Sequence, residues 1–115
     1  MNVLFVCSKN QWRSPTAERV FRKTDGLQVR SAGTNQSARR VVSHRDIAWA
    51  EVIFVMEQKH HDRLREAFRD ELREKHVHVL EIPDDFQFMD RELVHLLEER
   101  VGAVLDQMRV DDDDR

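Results

Sequence analysis

Short apolar runs alternate along this chain with segments in which apolar residues recur every three or four positions. The short runs predict four strands: Asn2 to Val6, Leu27 to Ser31, Val52 to Met56 and Val77 to Ile82. The intervening segments predict helices, because apolar residues at i, i+3 and i+4 lie on one helix face. Strands that alternate with helices predict an α/β fold, in which helices cover both faces of a parallel sheet.

Residues with helix-capping preferences indicate where the helices begin. Ser14-Pro15 supplies a natural N-cap residue followed by proline at the first helical position. Ser43 and Asp46 have the spacing of a capping box, with Asp in place of the usual Glu. After the third strand, one long and highly charged helix is expected, with Ala67 and Phe68 on its buried face.

The length of 115 residues is enough for one hydrophobic core, and residues 1–110 are predicted to form a single domain. The last helix is expected from about Asp90, followed by an acidic tail at residues 111–115. The net charge of −3 gives no reason to expect nucleic acid or an anionic membrane as a partner. No segment approaches the ~20 apolar residues that cross a bilayer, and the start lacks the pattern of a signal peptide. These features predict a cytoplasmic protein.

The segment from Cys7 to Ser14 is the strongest candidate for chemistry. Its backbone N–H groups and the start of the first helix could surround a phosphate or a similar anion, and Arg13 could add two parallel hydrogen bonds. The same positive field should favour the thiolate of Cys7, the form that attacks, and the Ser14 hydroxyl could hydrogen-bond to the sulfur. The residues predicted to bind phosphate are Ser8, Lys9, Asn10, Gln11, Trp12, Arg13 and Ser14.

The expected position of Cys7 in the sheet favours a catalytic role over that of an inert core residue. A lone cysteine at the end of a buried strand is often an inert core residue, and five residues between a cysteine and an arginine is a spacing that occurs by chance. In parallel sheets, however, ligands bind at the carboxyl ends of the strands. Cys7 follows the first strand and Asp84 follows the fourth, so both are expected at that edge.

Several motifs resemble low-molecular-weight protein tyrosine phosphatases. The residues Cys7, Asn10, Arg13, Ser14, Pro15, Ala17 and Glu18 match the family signature. Ser31-Ala32-Gly33-Thr34, the stretch from Asp46 to Met56, and Pro83-Asp84-Asp85-Phe86 resemble further family segments, in the same order along the chain. The resemblance implies a flavodoxin-like three-layer sandwich with a four-stranded parallel sheet.

The resemblance also implies a two-step hydrolysis of a phosphomonoester through a cysteinyl-phosphate, without metal or other cofactor. Cys7 would be the nucleophile and Arg13 the phosphate clamp. Asp84 would be the general acid, with Asp85 as the alternative. Asn10 would shape the loop through hydrogen bonds, including one with Ser31.

The chain departs from the family pattern at several positions. Lys9 replaces a glycine, whose backbone conformation lysine adopts only at a cost, so the loop is expected to differ locally from the family pattern. Trp12 replaces a second cysteine, which excludes a protective intramolecular disulfide, and its ring could form a wall of the pocket or pack on a neighbouring helix. Asp85 replaces a proline. The segment between Thr34 and Ser43 is short, which predicts a shortened, divergent member with part of the substrate-selecting rim missing.

Three functions remain open from the sequence. The first is a phosphatase for phosphotyrosine-like or small aryl phosphates, the second an arsenate reductase that uses an external thiol, and the third a non-catalytic phosphate-binding or phosphoprotein-binding module. His60-His61 and His76-x-His78 lack the spacing of a zinc motif, so we expect a solvated helix face and a strand edge there, with no metal. The sequence does not predict an oligomeric state.

Overall fold

Four parallel strands, β1 (Asn2–Cys7), β2 (Gln28–Gly33), β3 (Val52–Val55) and β4 (His76–Val79), form one sheet in the order β2-β1-β3-β4 in the computed structural model. The helices are α1 (Arg13–Phe21), α2 (His44–Trp49), α3 (Gln58–Ala67), α4 (Arg69–Leu72) and α5 (Arg91–Asp113). The structure describes residues 1–113, and the side chains of residues 1–109. The predicted α/β class and four-stranded parallel sheet are confirmed.

Side chains on the two faces of the sheet form two apolar clusters. Along β1, Val3, Phe5 and Cys7 belong to one cluster, whereas Leu4 and Val6 belong to the other. Residues of α1 and α5 pack in the first cluster, and residues of α2, α3 and α4 pack in the second. The result is a sandwich of three layers. Because β1 is central and buried on both faces, Cys7 at its end is held by a rigid element.

Most predicted elements are present in the structure, and the helix after β3 differs the most. The capping box is present, with Ser43 and Asp46 each hydrogen-bonded to the backbone of the other. The long charged helix predicted after β3 is instead divided into α3 and α4 at Phe68, whose backbone leaves the helical region. The Phe68 ring is buried and packs edge-on against His44, which favours the break. Ala67 is exposed, so its predicted place on the buried face is wrong.

The C-terminal helix α5 begins at Arg91, close to the predicted start at Asp90, and continues through Asp113. Residues 111–113 of the predicted acidic tail therefore continue the helix, and residues 114–115 of that tail lie outside the described residues. Across residues 1–113, no helix combines the length and apolar character needed to cross a membrane.

A kink after β4 directs the chain toward the carboxyl edge of the sheet. The backbone N–H groups of Leu80 and Ile82 still donate to carbonyls at and just beyond the end of β3, at 2.9 and 2.8 Å. Between them, Glu81 adopts a left-handed conformation with φ of 57°. Arg100 donates to the Leu80 and Glu81 carbonyls at 2.7 Å each and so holds the kink. The following residues, including Asp84, are thereby brought beside the end of β1.

Candidate active site

The loop between β1 and α1 turns its carbonyls outward. The carbonyls of Cys7, Ser8 and Lys9 accept hydrogen bonds from the backbone N–H groups of residues 34, 35 and 39, at 3.0, 2.9 and 3.1 Å. Because the segment after β2 satisfies these acceptors, they need not turn toward a bound ligand. The loop's N–H donors are therefore free to face an anion.

Gly33, the last residue of β2, allows this close approach of two backbones. A Cβ atom at Gly33 would lie 2.5 Å from the Ser8 carbonyl oxygen and 2.7 Å from the Ala38 Cβ. Contacts this short would force the loop away from the sheet. The glycine of the motif Ser31-Ala32-Gly33-Thr34 thus serves the shape of the loop.

Asn10 is the loop residue with a left-handed backbone, at φ of 53°. Asparagine enters this region more easily than most residues, which explains its position here. Lys9 has no positive φ, so the backbone at this position does not require a glycine. The Asn10 amide donates to Ser14 Oγ and to Ser31 Oγ, each at 2.9 Å, and Ser31 in turn donates to Glu18 at 2.6 Å. The predicted hydrogen bond between Asn10 and Ser31 is confirmed.

Ser14 Oγ lies 3.0 Å from Cys7 Sγ. Ser14 Oγ accepts a hydrogen bond from the Asn10 amide, and its own hydrogen can be donated to the sulfur or to the Ala32 carbonyl, which lies farther away at 3.4 Å. Donation to the sulfur would stabilise a thiolate. The prediction that Ser14 contacts the sulfur is confirmed. Its prediction as the N-cap is wrong, because α1 begins at Arg13 and the N-cap is Trp12, without a side-chain cap.

The guanidinium of Arg13 is 2% exposed and anchored at one end. Its Nη1 donates to Glu57 Oε1 and, at 2.8 Å, to the carbonyl of Ile82. Its Nε lies 3.6 Å from Asp84 Oδ1. The two Nη1 hydrogens are thus used, and Nε–H with Nη2–H forms the parallel pair of donors that can grip two oxygens of one phosphate.

Glu57 and His60, at the start of α3, support both ends of the loop. Burial raises the pKa of Glu57, but the hydrogen bond and positive charge of Arg13 outweigh burial and hold that pKa below its ordinary value. His60 is 1% exposed, its Nδ1 accepts from the Glu57 backbone N–H at 3.0 Å, and its Nε2 lies 2.8 Å from Ser8 Oγ. Burial, followed by the charge of Arg13, lowers the pKa of His60 to about 4. The imidazole is therefore neutral, with its proton on Nε2 donated to Ser8.

These two residues were missed by the sequence analysis. The prediction of a solvated helix face at His60-His61 is wrong for His60, which is buried. The position of Glu57 in the chain could have indicated its role, because Glu57 follows β3 at the same carboxyl edge of the sheet as Cys7 and Asp84. Across the described residues, no three or more His, Cys, Asp or Glu side chains group together in a way that could hold a metal ion.

A cavity of about 190 Å³ unites most of the predicted site. It is lined by Cys7, Ser8, Lys9, Gln11, Trp12, Arg13 and Asp84. Trp12 is thus a wall of the cavity, one of the two roles considered for it. Two predicted phosphate-binding residues, Asn10 and Ser14, do not line the cavity: they are buried behind the loop, where their side chains hold its shape. Asp84 and Asp85 are both exposed, but only Asp84 lines the cavity together with Cys7 and Arg13.

Comparisons with known proteins agree with this geometry. Residues 2–45, which include the whole loop, match the family model described as low molecular weight phosphotyrosine protein phosphatase. No curated protein matches the chain. The structure is similar to the YwlE arginine phosphatase from Geobacillus stearothermophilus, with 21% identity, 96% of both chains covered and a TM-score of 0.73.

Two further solved structures show the same fold. The low molecular weight phosphotyrosine phosphatase VcLMWPTP-2 from Vibrio cholerae O395 is 23% identical, with 95% of this chain and 97% of that chain covered and a TM-score of 0.74. The tyrosine phosphatase Wzb from Escherichia coli K30, in complex with phosphate, is 18% identical, with 92% and 96% covered and a TM-score of 0.75. The fold is therefore the flavodoxin-like one that was predicted. These alignments extend over nearly the whole of both chains, so the prediction of a shortened member is wrong.

Proposed function

We propose that the chain, whose residues 2–45 match the family model of low molecular weight phosphotyrosine protein phosphatase, is a member of that family and hydrolyses phosphomonoesters through a cysteinyl-phosphate. The observation that carries the proposal is that Cys7, Arg13 and Asp84 line one cavity of about 190 Å³. This brings together a nucleophile, an anion clamp and a proton donor, the three groups that the reaction needs.

In the first step, the Cys7 thiolate attacks phosphorus, so that the S–P bond forms as the P–O bond to the leaving group breaks. The Ser14 hydroxyl, 3.0 Å from the sulfur, stabilises the thiolate before attack and again when sulfur leaves. Arg13 holds two phosphate oxygens through Nε–H and Nη2–H, while the loop N–H groups and the positive end of α1 stabilise the remaining charge.

Asp84 acts at the opposite side of the phosphorus from Cys7. Its carboxyl group protonates the leaving oxygen, because a phenolate or alkoxide leaves poorly without a proton. In the second step, Asp84 takes a proton from water as that water attacks phosphorus. The S–P bond breaks, releasing inorganic phosphate and restoring the thiolate.

The lining of the cavity supports an aryl phosphate as substrate. The Trp12 side chain is 37% exposed and lines the cavity together with Cys7. An aromatic wall at this place would contact the ring of a phosphotyrosine. We also propose a cytoplasmic location, because a thiolate nucleophile without a partner cysteine requires a compartment that keeps thiols reduced.

Two aryl phosphates with different leaving groups would test the mechanism, with turnover measured as release of inorganic phosphate. Purified protein would be assayed with p-nitrophenyl phosphate, which has a good leaving group, and phenyl phosphate, which has a poor one. Cys7→Ser should abolish turnover of both. Arg13→Lys should lower kcat/KM for both, because lysine cannot form the parallel pair of hydrogen bonds.

The general acid is tested by matched amide variants. Asp84→Asn should lower kcat/KM, which reports the first step, by about a hundredfold or more for phenyl phosphate and much less for p-nitrophenyl phosphate. Asp85→Asn is the control, and its kcat/KM for both substrates should remain close to that of the unmodified protein. Robust turnover by the Cys7→Ser protein would refute the mechanism. Absence of turnover, combined with thermal stabilisation by inorganic phosphate, would instead indicate a non-catalytic binding module.

A further inference from the structure

A second cavity, of about 330 Å³, adjoins the phosphate loop. Ser8 lines both cavities, so the second opens directly beside the first. Its other lining residues are Thr34, Asn35, Lys59, His60, Asp62 and Arg63. The cavity therefore lies between the segment after β2 and the first turns of α3. Of its lining, only Ser8 and His60 belong to the phosphate loop and its support.

Two cationic side chains in this lining, Lys59 and Arg63, have no carboxylate that neutralises them alone. Lys59 and Arg63 are one helical turn apart on α3 and share a face of the helix. The carboxylate nearest to Lys59 Nζ is that of Glu57, at 3.9 Å, and it is already bonded to Arg13. Arg63 forms no ion pair within 4 Å among the residues whose side chains are described.

The one carboxylate in the lining, Asp62, is engaged by neighbours on α3. Its Oδ1 accepts from Gln58 Nε2 at 3.0 Å and lies 3.8 Å from His61 Nδ1 and 4.0 Å from Arg65 Nη2. Asp62 thus has cationic and amide partners of its own along the helix. Lys59 and Arg63 leave the second cavity with positive charge that this carboxylate does not neutralise.

The uncharged groups of the lining are also arranged as donors. Because His60 donates its Nε2 proton to Ser8 Oγ, the Ser8 hydroxyl hydrogen is available to a ligand oxygen. Asn35 Oδ1 accepts from both the backbone N–H and the hydroxyl of Ser37, at 2.8 Å each, which leaves its amide N–H groups as donors. Cations and free donors together favour an anionic oxygen ligand.

We propose that this cavity is a specificity subsite, which binds a carboxylate or a second phosphate next to the phosphorylated residue of the substrate. The inference rests on the proposed phosphatase function, because it places the acidic group beside the phosphoryl group held at Cys7. The chain as a whole has a net charge of −3 and would disfavour an acidic peptide. A preference for acidic peptides would therefore require local cations such as Lys59 and Arg63.

The test compares phosphotyrosine peptides that differ only at the flanking positions. One peptide carries glutamate on both sides, one carries glutamine, and one carries glutamine with a neighbouring phosphoserine, which separates carboxylate from phosphate as the bound group. The unmodified protein should show about fivefold higher kcat/KM for at least one acidic peptide than for the glutamine peptide, mainly through KM. The preference for acidic peptides should vanish at about 0.5 M salt, because salt screens exposed ion pairs.

Arg63→Gln should reduce the preference to less than about twofold and leave turnover of p-nitrophenyl phosphate unchanged. Arg19→Gln, on the exposed side of α1, is the matched control and should keep the preference. The same peptides would be titrated calorimetrically into the Cys7→Ser protein, so that binding is measured without turnover. Equal affinity and equal kcat/KM for all three peptides would overturn the subsite. If the unmodified protein turned over none of the peptides but the Cys7→Ser protein still bound the acidic peptides more tightly, the phosphatase function would be overturned and the subsite supported.

Discussion

Lowering the pH from 7 to 5 should destabilise the fold through His60. Burial lowers the pKa of this imidazole to about 4, whereas in the unfolded chain it has its ordinary value of about 6.5. At pH 7 the group is neutral in the folded chain and protonated in only about a quarter of the unfolded chains, so it lowers the free energy of unfolding by only about 0.2 kcal/mol. At pH 5 the unfolded chain binds a proton on almost every His60, and the folded chain on about one in ten. Protonation then favours the unfolded state.

The size of the effect follows from the two pKa values. At pH 5, a folded pKa near 4 and an unfolded pKa near 6.5 together lower the free energy of unfolding by about 2 kcal/mol. Below pH 4 the loss approaches about 3 kcal/mol, since each unit of pKa difference corresponds to ~1.4 kcal/mol. This is a large part of the ~5–15 kcal/mol that stabilises a typical domain.

Urea denaturation at pH 7 and pH 5 measures the effect, with His60→Asn as the comparison. The asparagine oxygen can still accept from the Glu57 backbone N–H but cannot titrate. The unmodified protein should therefore lose about 2 kcal/mol more than His60→Asn between the two pH values. His78, whose pKa burial also lowers, is the control: His78→Gln should retain the His60 contribution. Identical pH dependence in the unmodified protein and in His60→Asn would refute the reasoning.

Three further predictions follow from packing around the loop. Gly33→Ala should destabilise the protein by about 1–3 kcal/mol in urea denaturation, because the new Cβ would lie 2.5 Å from a backbone oxygen. Gly102→Ala is the control: its Cβ would meet open space, and the substitution should stabilise α5 by about 0.5–1 kcal/mol. Ser14→Ala should slow alkylation of Cys7 by iodoacetamide and lower kcat roughly tenfold; an unchanged alkylation rate would contradict a role for the hydroxyl. Glu57→Gln should lower the free energy of unfolding by about 2–4 kcal/mol, because the buried Arg13 loses its anionic partner, and an effect below ~0.5 kcal/mol would contradict that pairing.

The sequence was sufficient to predict where Cys7, Arg13 and Asp84 lie. Cys7 and Asp84 each follow a strand, and the carboxyl ends of parallel strands share one edge, so local patterns alone bring them together. The spacing of Cys7 and Arg13 is likewise local. By contrast, the partners of His60 and Glu57 in the loop lie 52 and 44 positions away in the chain, and no short pattern records such contacts.

Ser14 shows why the same residue can be predicted both correctly and incorrectly. Its hydroxyl could cap α1 or contact the Cys7 sulfur, and both interpretations agree with its place in the chain. The amide of Asn10 decides between them, because it holds the hydroxyl 3.0 Å from the sulfur. The left-handed residue of the loop, Asn10 rather than Lys9, is also settled by that network.

The sequence by itself determined the order of strands and helices, the sheet edge at which the loop lies, and the residue types at the site. These depend on hydrophobic periodicity and on neighbours within a few positions of the chain. Only the tertiary structure decided which side chains line the cavity, which ones support the loop from behind, and that His60 is buried and neutral. Those properties depend on burial and on contacts between distant segments, which exist only once β1, β3 and α3 are packed together.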